Sequence, residues 1–321
     1  MTLTKRYALV TLGIIIFLVA APVFILGIRG YIYDFENKRL VKTAILVIKT
    51  EPKGAEIAIN GPKQVSKKSN TTLRFLPGGD YDISIVKDNF HSWQKRLVVR
   101  GGVVTWAADL DKIYLLPKNP RLISETQEYK KQAPSESNYF YALEKSDTET
   151  LNIVRIAKDN REDKTIVREN VSGKSGAIYA APNNLLFAII DRVLYQVTTG
   201  LEYIAEGVEM VNWDEQMNKL VYGNEHEINF YNPYDAGAGQ RELLLRTSEA
   251  GGSFCVIPEM GYLLRSFGSK VRAVELDGRD KRNIYDLFNF DAPIQIVNCS
   301  ESGNAIVIKQ NDVFKTYSLR Q

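Results

Sequence analysis

The chain has 321 residues and a formal net charge of +3, with 25% charged and 45% hydrophobic residues. This is the balance of an ordinary globular protein, and so small a basic excess gives no reason to expect a nucleic-acid partner. The length predicts two domains rather than one.

The first feature in chain order is an apolar run. No charged residue occurs from Tyr7 to Ile28, and a helix of this length can cross a hydrocarbon core of about 30 Å. A buried core helix is disfavoured because the run is apolar all round. A cleaved signal peptide has a shorter apolar region that ends in a small-residue site. We therefore predict a transmembrane signal anchor at residues 7–29, after a cytoplasmic tail at 1–6 and before a juxtamembrane linker at 30–42.

The charges that flank this run do not settle its orientation. Lys5 and Arg6 precede it, whereas Arg29 and several further cations follow it. A count of Lys and Arg places the C-terminal side inside, but long domains translocate largely regardless of flanking charge. The identity of the domains that follow must decide the orientation.

Residues 43–116 alternate between strand-like runs and turn signals. The runs include TAILVIKT, EIAI, TLRFL and YDISIVK. Asn60-Gly61 predicts a hairpin, because both central residues of a type I′ turn need positive φ. A second corner is predicted at Pro77-Gly78-Gly79-Asp80. The absence of a helical period predicts a small antiparallel β-sandwich.

This region resembles the PEGA domain, a bacterial extracytoplasmic β-sandwich. The residues that carry the resemblance are Pro52, Gly54, Ala55, Asn60, Gly61, Pro77, Gly78 and Trp93. Lys53 stands where the family has Glu. Asn89 stands where the family has Gly, and Asn tolerates positive φ better than most residues. The resemblance implies that the domain lies outside the cytoplasm.

The signature residues are expected to be structural rather than catalytic or ligand-binding. Pro52 fixes φ and removes an N–H where a strand stops. Gly54 supplies an unusual backbone angle, and Ala55 is small enough for close packing. Trp93 and Phe90 are expected to pack in the core or at a corner.

Residues 117–129, with Pro117 and Pro120, are predicted to be a linker, and residues 130–321 contain repeats. Five segments share a turn followed by an aromatic or aliphatic strand: APSESNYFYAL, APNNLLFAII, WDEQMNKLVYG, IPEMGYLLRS and CSESGNAIVIK. A period near forty residues is typical of propeller blades. The segments resemble Tol-type and WD-type propellers, with Asp277-Gly278 as a tight turn. We predict about five blades; four or six blades, or a pair of β-sandwiches, remain alternatives.

No motif for catalysis, metal binding or cofactor binding stands out. The two histidines, His91 and His226, lie in different modules. Glu225-His226-Glu227 is interpreted as a solvated hairpin, because adjacent strand residues point to opposite faces. Gly251-Gly252 precedes a strand, so it lacks the helix N-terminus that binds phosphate. We predict no catalytic residue, no metal and no cofactor.

The two cysteines, Cys255 and Cys299, occupy nearly equivalent positions in neighbouring repeats. Buried free thiols are the default expectation for such residues. A disulfide between them is the alternative, and it depends on close geometry.

Together these features predict an all-β protein with one N-terminal transmembrane helix, a PEGA-like sandwich and a β-propeller. The function expected is a membrane-anchored, extracytoplasmic, non-catalytic binding or scaffold protein of the bacterial cell envelope, with an envelope protein or polysaccharide as partner. One alternative is a propeller-based envelope hydrolase, which needs a convergent site that the fold alone does not supply. The other is the ligand-binding subunit of a sensor complex.

Overall fold

The computed structural model describes residues 3–34, 38–109, 111–129, 139–160, 162–214, 217–237, 240–300 and 304–320. Over these residues it contains one α-helix and otherwise almost only β-strands. The chain divides into two compact units. The first comprises residues 1–118 and 277–283, and the second comprises residues 119–276 and 284–320.

The helix of the first unit, α1, spans Leu3–Ile28. Its segment Val10–Ile28 is long and apolar enough to cross a membrane, as an anchor or as a signal sequence, and none of it is buried in protein. The helix begins at Leu3, within the segment 1–6 that is predicted to be a cytoplasmic tail. Exposed apolar side chains all around the segment Val10–Ile28 are typical of a surface that faces lipid.

The predicted linker at residues 30–42 is instead largely β-structure. Gly30 has a φ of +78°, and its carbonyl accepts hydrogen bonds from the Thr43 N–H at 2.6 Å and the Thr43 hydroxyl at 2.8 Å. The next four residues pair antiparallel with Arg39–Lys42. The helix therefore runs directly into a sheet.

The strands of the first unit are β1 (Tyr31–Asp34), β2 (Arg39–Ile48), β3 (Thr50–Glu51), β4 (Glu56–Asn60), β5 (Val65–Lys68), β6 (Thr71–Pro77), β7 (Gly79–Val86), β8 (Trp93–Val99), β9 (Val104–Trp106) and β10 (Ile113–Tyr114). One sheet has the order β1-β2-β6, with β9 parallel to β2, and the other has the order β5-β4-β7-β8. Alternate residues of β4, β7 and β8 are buried, as expected for strands with one face on a core. The predicted sandwich is confirmed.

The Asn60-Gly61 prediction was wrong in its mechanism. Neither residue has positive φ, and β4 and β5 are joined by a longer loop instead of a two-residue turn. Gly61 is required for another reason. A Cβ there would lie 2.6 Å from the Asp80 carbonyl oxygen and 2.8 Å from the Tyr81 ring. The glycine permits a close approach of the chain to β7.

Two other turn residues have the backbone geometry that the sequence suggests. Gly54 has a φ of +78°, and Asn89 has a φ of +66°. Both values lie in the left-handed region, which Gly and Asn tolerate best. Trp93 and Phe90 are buried in the core of the sandwich.

The second unit begins with β11 (Arg121–Thr126), β12 (Tyr139–Lys145), β13 (Thr150–Ala157), β14 (Lys164–Ser172), β15 (Gly176–Ala180), β16 (Leu186–Ile190), β17 (Val193–Val197), β18 (Leu201–Ala205), β19 (Met210–Asp214) and β20 (Lys219–Gly223). It continues with β21 (Glu227–Tyr231), β22 (Arg241–Arg246), β23 (Phe254–Ile257), β24 (Tyr262–Phe267), β25 (Lys270–Glu275), β26 (Ile284–Asn289), β27 (Gln295–Cys299), β28 (Ala305–Gln310) and β29 (Val313–Ser318). A short 3₁₀ helix, Pro258–Met260, precedes β24.

These strands form five antiparallel sheets over the described residues. They are β12-β13-β14, β15-β16-β17-β18, β19-β20-β21-β22, β23-β24-β25-β26 and β27-β28-β29-β11, which we call sheets one to five. The repeat segments found in the sequence supply the second strand of each of the four-stranded sheets two to five. The start of the first repeat, at residues 133–138, lies outside the described residues. Successive four-stranded antiparallel sheets are the architecture of a propeller.

The fifth sheet is completed by a strand from the opposite end of the unit. Strand β11 pairs antiparallel with β29, from Arg121 with Ser318 to Thr126 with Phe314. The sequence predicts a linker at residues 117–129, whereas strand β11 lies within this segment. The local sequence carries proline signals but gives no sign of the distant partner strand.

Hydrophobic clusters fill the spaces between neighbouring sheets. Leu151 and Ile190 belong to the cluster between sheets one and two, and Phe187 and Leu220 to the one between sheets two and three. A further cluster joins sheets three and four and contains Phe230 and Leu263. Each of these sheets therefore packs through its faces, as the blades of a propeller do.

The cysteines are not free thiols, which corrects the default expectation. Cys255 of β23 and Cys299 of β27 form a disulfide with a Cα–Cα distance of 6.0 Å. It joins the first strands of sheets four and five.

A substitution at Gly54 tests the turn of the signature. A Cβ at this position would meet only the Lys87 Nζ atom, at 3.9 Å, so steric overlap is not the constraint. We expect Gly54→Val to lower the free energy of unfolding by more than about 1 kcal/mol, because a β-branched residue is strained at positive φ. Urea unfolding of the full chain, followed by tryptophan fluorescence in a Trp213→Phe background, reports this unit.

Gly54→Asn is the matched control and should cost less than the Val variant, because Asn tolerates positive φ. Lys53→Glu, which restores the family residue, should be nearly neutral. Equal stability of the Val variant and the parent would show that this corner does not need glycine.

Candidate functional site

The residues that most resembled a metal cluster do not form one. Glu225 and His226 are exposed, and the His226 Nδ1 atom lies 3.2 Å from the Thr247 carbonyl oxygen. Among the described residues, no group of three or more His, Cys, Asp or Glu side chains is arranged to hold a metal ion.

Gly251 makes room for a buried arginine. Arg265 of β24 is fully buried, and its Nη2 atom donates to the carbonyl oxygens of Asn224 at 2.5 Å and Gly251 at 3.3 Å. A Cβ on Gly251 would overlap this guanidinium group. Burial lowers the pKa of Arg265. The glycine therefore serves packing around a buried cation.

The first unit contains a buried ion pair on its sandwich. Strand β8 buries alternate residues, and this pattern places Lys95 on the same inward face as Trp93 and Leu97. The Lys95 side chain is 0% exposed, and its Nζ lies 3.3 Å from a carboxylate oxygen of Asp277, whose side chain is 8% exposed. The same Nζ donates to the Asp277 carbonyl oxygen at 2.9 Å. A lysine can be held at a core position only with such partners.

Arg279 extends this ion pair into a network. Its guanidinium group donates to the Asp277 carboxylate at 2.7–3.1 Å and to the carbonyl oxygens of Trp106 and Ala107 at 3.0 Å each. Burial opposes ionisation of Asp277. The hydrogen bonds from Arg279 and the charge of Lys95 outweigh it, so the pKa of Asp277 is lowered. Through these hydrogen bonds and ion pairs, the network binds residues 277–283 to the rest of the first unit.

The turn prediction at Asp277-Gly278 is therefore corrected. Strands β25 and β26 end and begin at Glu275 and Ile284, so a long loop joins them. Gly278 does not have positive φ. The residues of this loop are used for contacts within the first unit rather than for a tight turn.

The second unit carries an exposed tyrosine–arginine surface on sheets two and three. The ring of Tyr203 on β18 is 54% exposed and packs edge-on against Tyr195, with centroids 6.5 Å apart. Arg241 at the start of β22 lies over this ring at 5.8 Å and donates to the Tyr203 carbonyl oxygen at 3.2 Å. Leu243 shares the face of Arg241 and is also exposed. We call Tyr195, Tyr203, Arg241 and Leu243 the tyrosine–arginine surface.

A polar network joins the same two sheets. The Tyr231 hydroxyl donates to the Gln196 Oε1 atom at 2.7 Å and accepts from the Gln240 Nε2 atom at 3.2 Å. Burial raises the pKa of Tyr231, so the hydroxyl keeps its proton. Asn183 also donates to the Tyr234 hydroxyl at 3.2 Å, and that ring is 58% exposed. These bonds fix the two sheets that carry the tyrosine–arginine surface.

The signature residues of the sandwich do not gather at one site. Ala55 and Trp93 are buried in the core, whereas Pro77 and Gly78 stand at the corner where the chain passes from one sheet to the other. Pro52 and Asn60 lie at opposite ends of the segment that contains β4.

Sequence reasoning missed the two arrangements described here. The alternation Trp-x-Lys-x-Leu in β8 was a usable signal, because it places Lys95 on the buried face. Its partner Asp277 is far away in sequence and had no such signal. Tyr203 and Arg241 come from different repeats, so only the packing of sheets two and three brings them together.

Comparison with known families confirms the resemblance in the first unit. Residues 43–112 match the PEGA domain. A search of curated proteins finds no match to the chain.

Several solved structures are similar to this chain at low sequence identity and with TM-scores below 0.5. The extracellular domain of a hybrid two-component system from B. thetaiotaomicron has 10% identity and a TM-score of 0.42, over 73% of this chain and 32% of that one. This chain thus spans about a third of that domain. A chain of the mitotic checkpoint complex has 10% identity and a TM-score of 0.45, over 91% and 90%. The WD40 β-propeller domain of Doa1 has 9% identity and a TM-score of 0.35, over 88% and 93%.

The buried ion pair predicts a pH-dependent stability. A carboxyl group with a lowered pKa stabilises the fold above its unfolded-state pKa of about 4, and this contribution is lost as the pH falls towards the folded-state value. We expect Asp277→Asn to cost about 3–5 kcal/mol at pH 7, because it leaves the Lys95 ammonium buried without its partner. Below about pH 4, the stability of the variant should also decrease less than that of the parent.

Asp82→Asn is the matched control. The pKa of Asp82 is also lowered, mainly by its hydrogen bond from Arg96, but this pair is exposed to solvent. This variant should be nearly neutral at pH 7. Urea unfolding across pH, with the fluorescence readout used for Gly54, separates the two cases, and similar losses in both variants would contradict a special role for the buried pair.

Proposed function

We propose that this chain is a single-pass membrane protein of the bacterial cell envelope that holds a non-catalytic, propeller-like binding unit outside the cytoplasm. Its partner is an envelope protein or polysaccharide. The observation that carries the proposal is the combination of an apolar helix at the N-terminal end with a disulfide in the second unit.

The disulfide supports the location. Disulfides persist in oxidising compartments and are rare in the cytosol. Cys255 and Cys299 are the only cysteines of the chain, and they pair with each other. The PEGA match at residues 43–112 points to the same side of the membrane. Both folded units follow the helix in the chain, so one orientation of α1 places both outside.

The tyrosine–arginine surface supports a binding role. Tyr and Arg are enriched at protein interfaces and dominate their energetic centres. Tyr203 and Arg241 are exposed but held in place by their mutual contact and by the backbone hydrogen bond. A side chain that is already ordered loses less conformational entropy when a partner binds. Aromatic rings and guanidinium groups also suit the apolar faces and hydroxyl groups of sugars.

Tethering is the proposed mechanism. The helix confines the binding unit to a layer next to the membrane, and confinement raises its effective concentration for partners in that layer. The surface lies on strands of a packed scaffold, which keeps its geometry fixed.

The topology gives the first test of this proposal. We expect a reporter that is active only in the cytoplasm to be silent when fused after Gln321. In non-reducing conditions, a thiol reagent should fail to label the unfolded protein until a reductant is added. A bright reporter, or labelling without reduction, would contradict an extracytoplasmic location.

The binding surface gives the second test. Full-length protein in membranes is cross-linked to envelope components, and retention of the partner is compared between the parent and the double variant Tyr203→Ala/Arg241→Ala. We expect retention to require at least about thirtyfold more protein, because the loss of even one interface hot spot costs about 2 kcal/mol.

Tyr139→Ala/Arg155→Ala is the matched control. Arg155 lies over the Tyr139 ring at 4.6 Å, so this double variant removes the same residue types from another sheet. It should retain the partner. Equal loss in both double variants would contradict the assignment of the surface, and hydrolase activity that is lost on changing one acidic residue would contradict the non-catalytic role.

A further inference from the structure

The end of the sandwich that follows the helix has an unusual surface. Strand β6 contains a bulge, since Ala44 pairs with Leu76 and Leu46 pairs with Leu73, which leaves Arg74 and Phe75 opposite a single residue of β2. Bulges redirect side chains away from the regular alternation. Both Arg74 and Phe75 point to solvent as a result.

Phe75 adopts a backbone conformation that is unfavourable for its residue type. Its φ is +57°, which is rare for a bulky residue, and its side chain is 58% exposed. Backbone strain of this kind is found where the surrounding structure imposes it, often at functional positions. A strained backbone that exposes a phenyl ring has no benefit for folding in water.

Further apolar side chains surround Phe75. Val103 and Val104 are exposed, and they line a cleft of about 700 Å³ together with Phe75. The last turns of α1, including Val23 and Phe24, also line this cleft. The cleft therefore lies where the apolar helix ends and the sandwich begins.

The charges around the cleft have one sign. Arg29, Lys42 and Arg74 belong to its lining, which contains no acidic residue among the described residues. An apolar cleft with three cations at the end of a transmembrane helix matches the chemistry of an anionic phospholipid, with its acyl chain beside the helix and its phosphate at the cations. Basic residues next to a membrane helix attract anionic headgroups.

We propose that this cleft binds an anionic phospholipid of the surrounding leaflet and holds the sandwich against the bilayer surface. The inference rests on the proposed function in one respect, because it requires α1 to span the membrane. It adds a lipid-specific contact made by the folded unit. Phe75 and Val103 enter the interface, while Arg29, Lys42 and Arg74 contact the phosphate.

The test places a nitroxide label at one of three positions of the full chain, through Val103→Cys, Asp88→Cys or Leu18→Cys. Val103 lines the cleft, Asp88 is exposed beside the turn at Asn89, and Leu18 lies within the helix. The protein is reconstituted in nanodiscs of phosphatidylcholine, with or without phosphatidylglycerol. Collision rates with oxygen and with a water-soluble nickel complex then report membrane depth at each label.

With phosphatidylglycerol present, the ratio of oxygen to nickel collisions at Val103 should be several-fold higher than at Asp88. The ratio should fall when phosphatidylglycerol is omitted. The double variant Lys42→Gln/Arg74→Gln should abolish this difference between lipids. Lys67→Gln/Lys68→Gln, which removes two exposed cations from β5, should preserve it.

The label at Leu18 separates the two proposals. One outcome is that the Leu18 label lies deep in the membrane while the Val103 label is as accessible to the nickel complex as the Asp88 label. This outcome would overturn the lipid site and leave the anchor intact. An equal ratio at Val103 in both lipid compositions would overturn the recognition of anionic headgroups. A Leu18 label exposed to water would overturn the membrane-spanning role and the lipid site together.

Discussion

The pairing of β11 with β29 is the constraint on which the second unit depends. A β-sheet has unpaired backbone groups at its edges, and those groups must be hydrogen-bonded or exposed to water. Here a strand from the start of the unit completes the sheet formed by its last three strands. The disulfide between Cys255 and Cys299 adds a covalent link between that sheet and its neighbour. The tyrosine–arginine surface lies on sheets two and three of the same unit.

Local patterns in the sequence were sufficient to predict the classes of structure. The apolar run predicted α1, the alternation of strand-like runs with turn signals predicted the sandwich, and the repeats predicted a series of similar sheets. Each signal comes from residues close together in the chain, where side-chain period and turn chemistry act directly. The backbone angles of Gly54 and Asn89 could also be predicted from local sequence, because tolerance of positive φ depends on the residue type itself.

The errors came from contacts that are distant in sequence. Gly61 is a glycine because β7 passes close to it, and a sequence pattern cannot distinguish that cause from a type I′ turn. In the sequence, Asp277 looks like part of an ordinary polar loop. Its partner Lys95 comes beside it only in the folded chain. The tyrosine–arginine surface had the same difficulty, since Tyr203 and Arg241 lie on the outer strands of two different sheets. Functional surfaces of repeat proteins are built across repeats, so a search within each repeat does not find them.

The junction at Gly30 and Thr43 has a mechanical consequence. Two hydrogen bonds to one carbonyl, followed at once by strand pairing, restrict rotation between the helix and the sandwich. The apolar segment Val10–Ile28 has 19 residues, or about 28 Å of helix, close to the thickness of a bilayer core. A thinner membrane is accommodated by tilting of the helix, and a stiff junction passes that tilt to the sandwich. Under the proposed membrane-spanning role of α1, bilayer thickness would thereby set the orientation of the first folded unit.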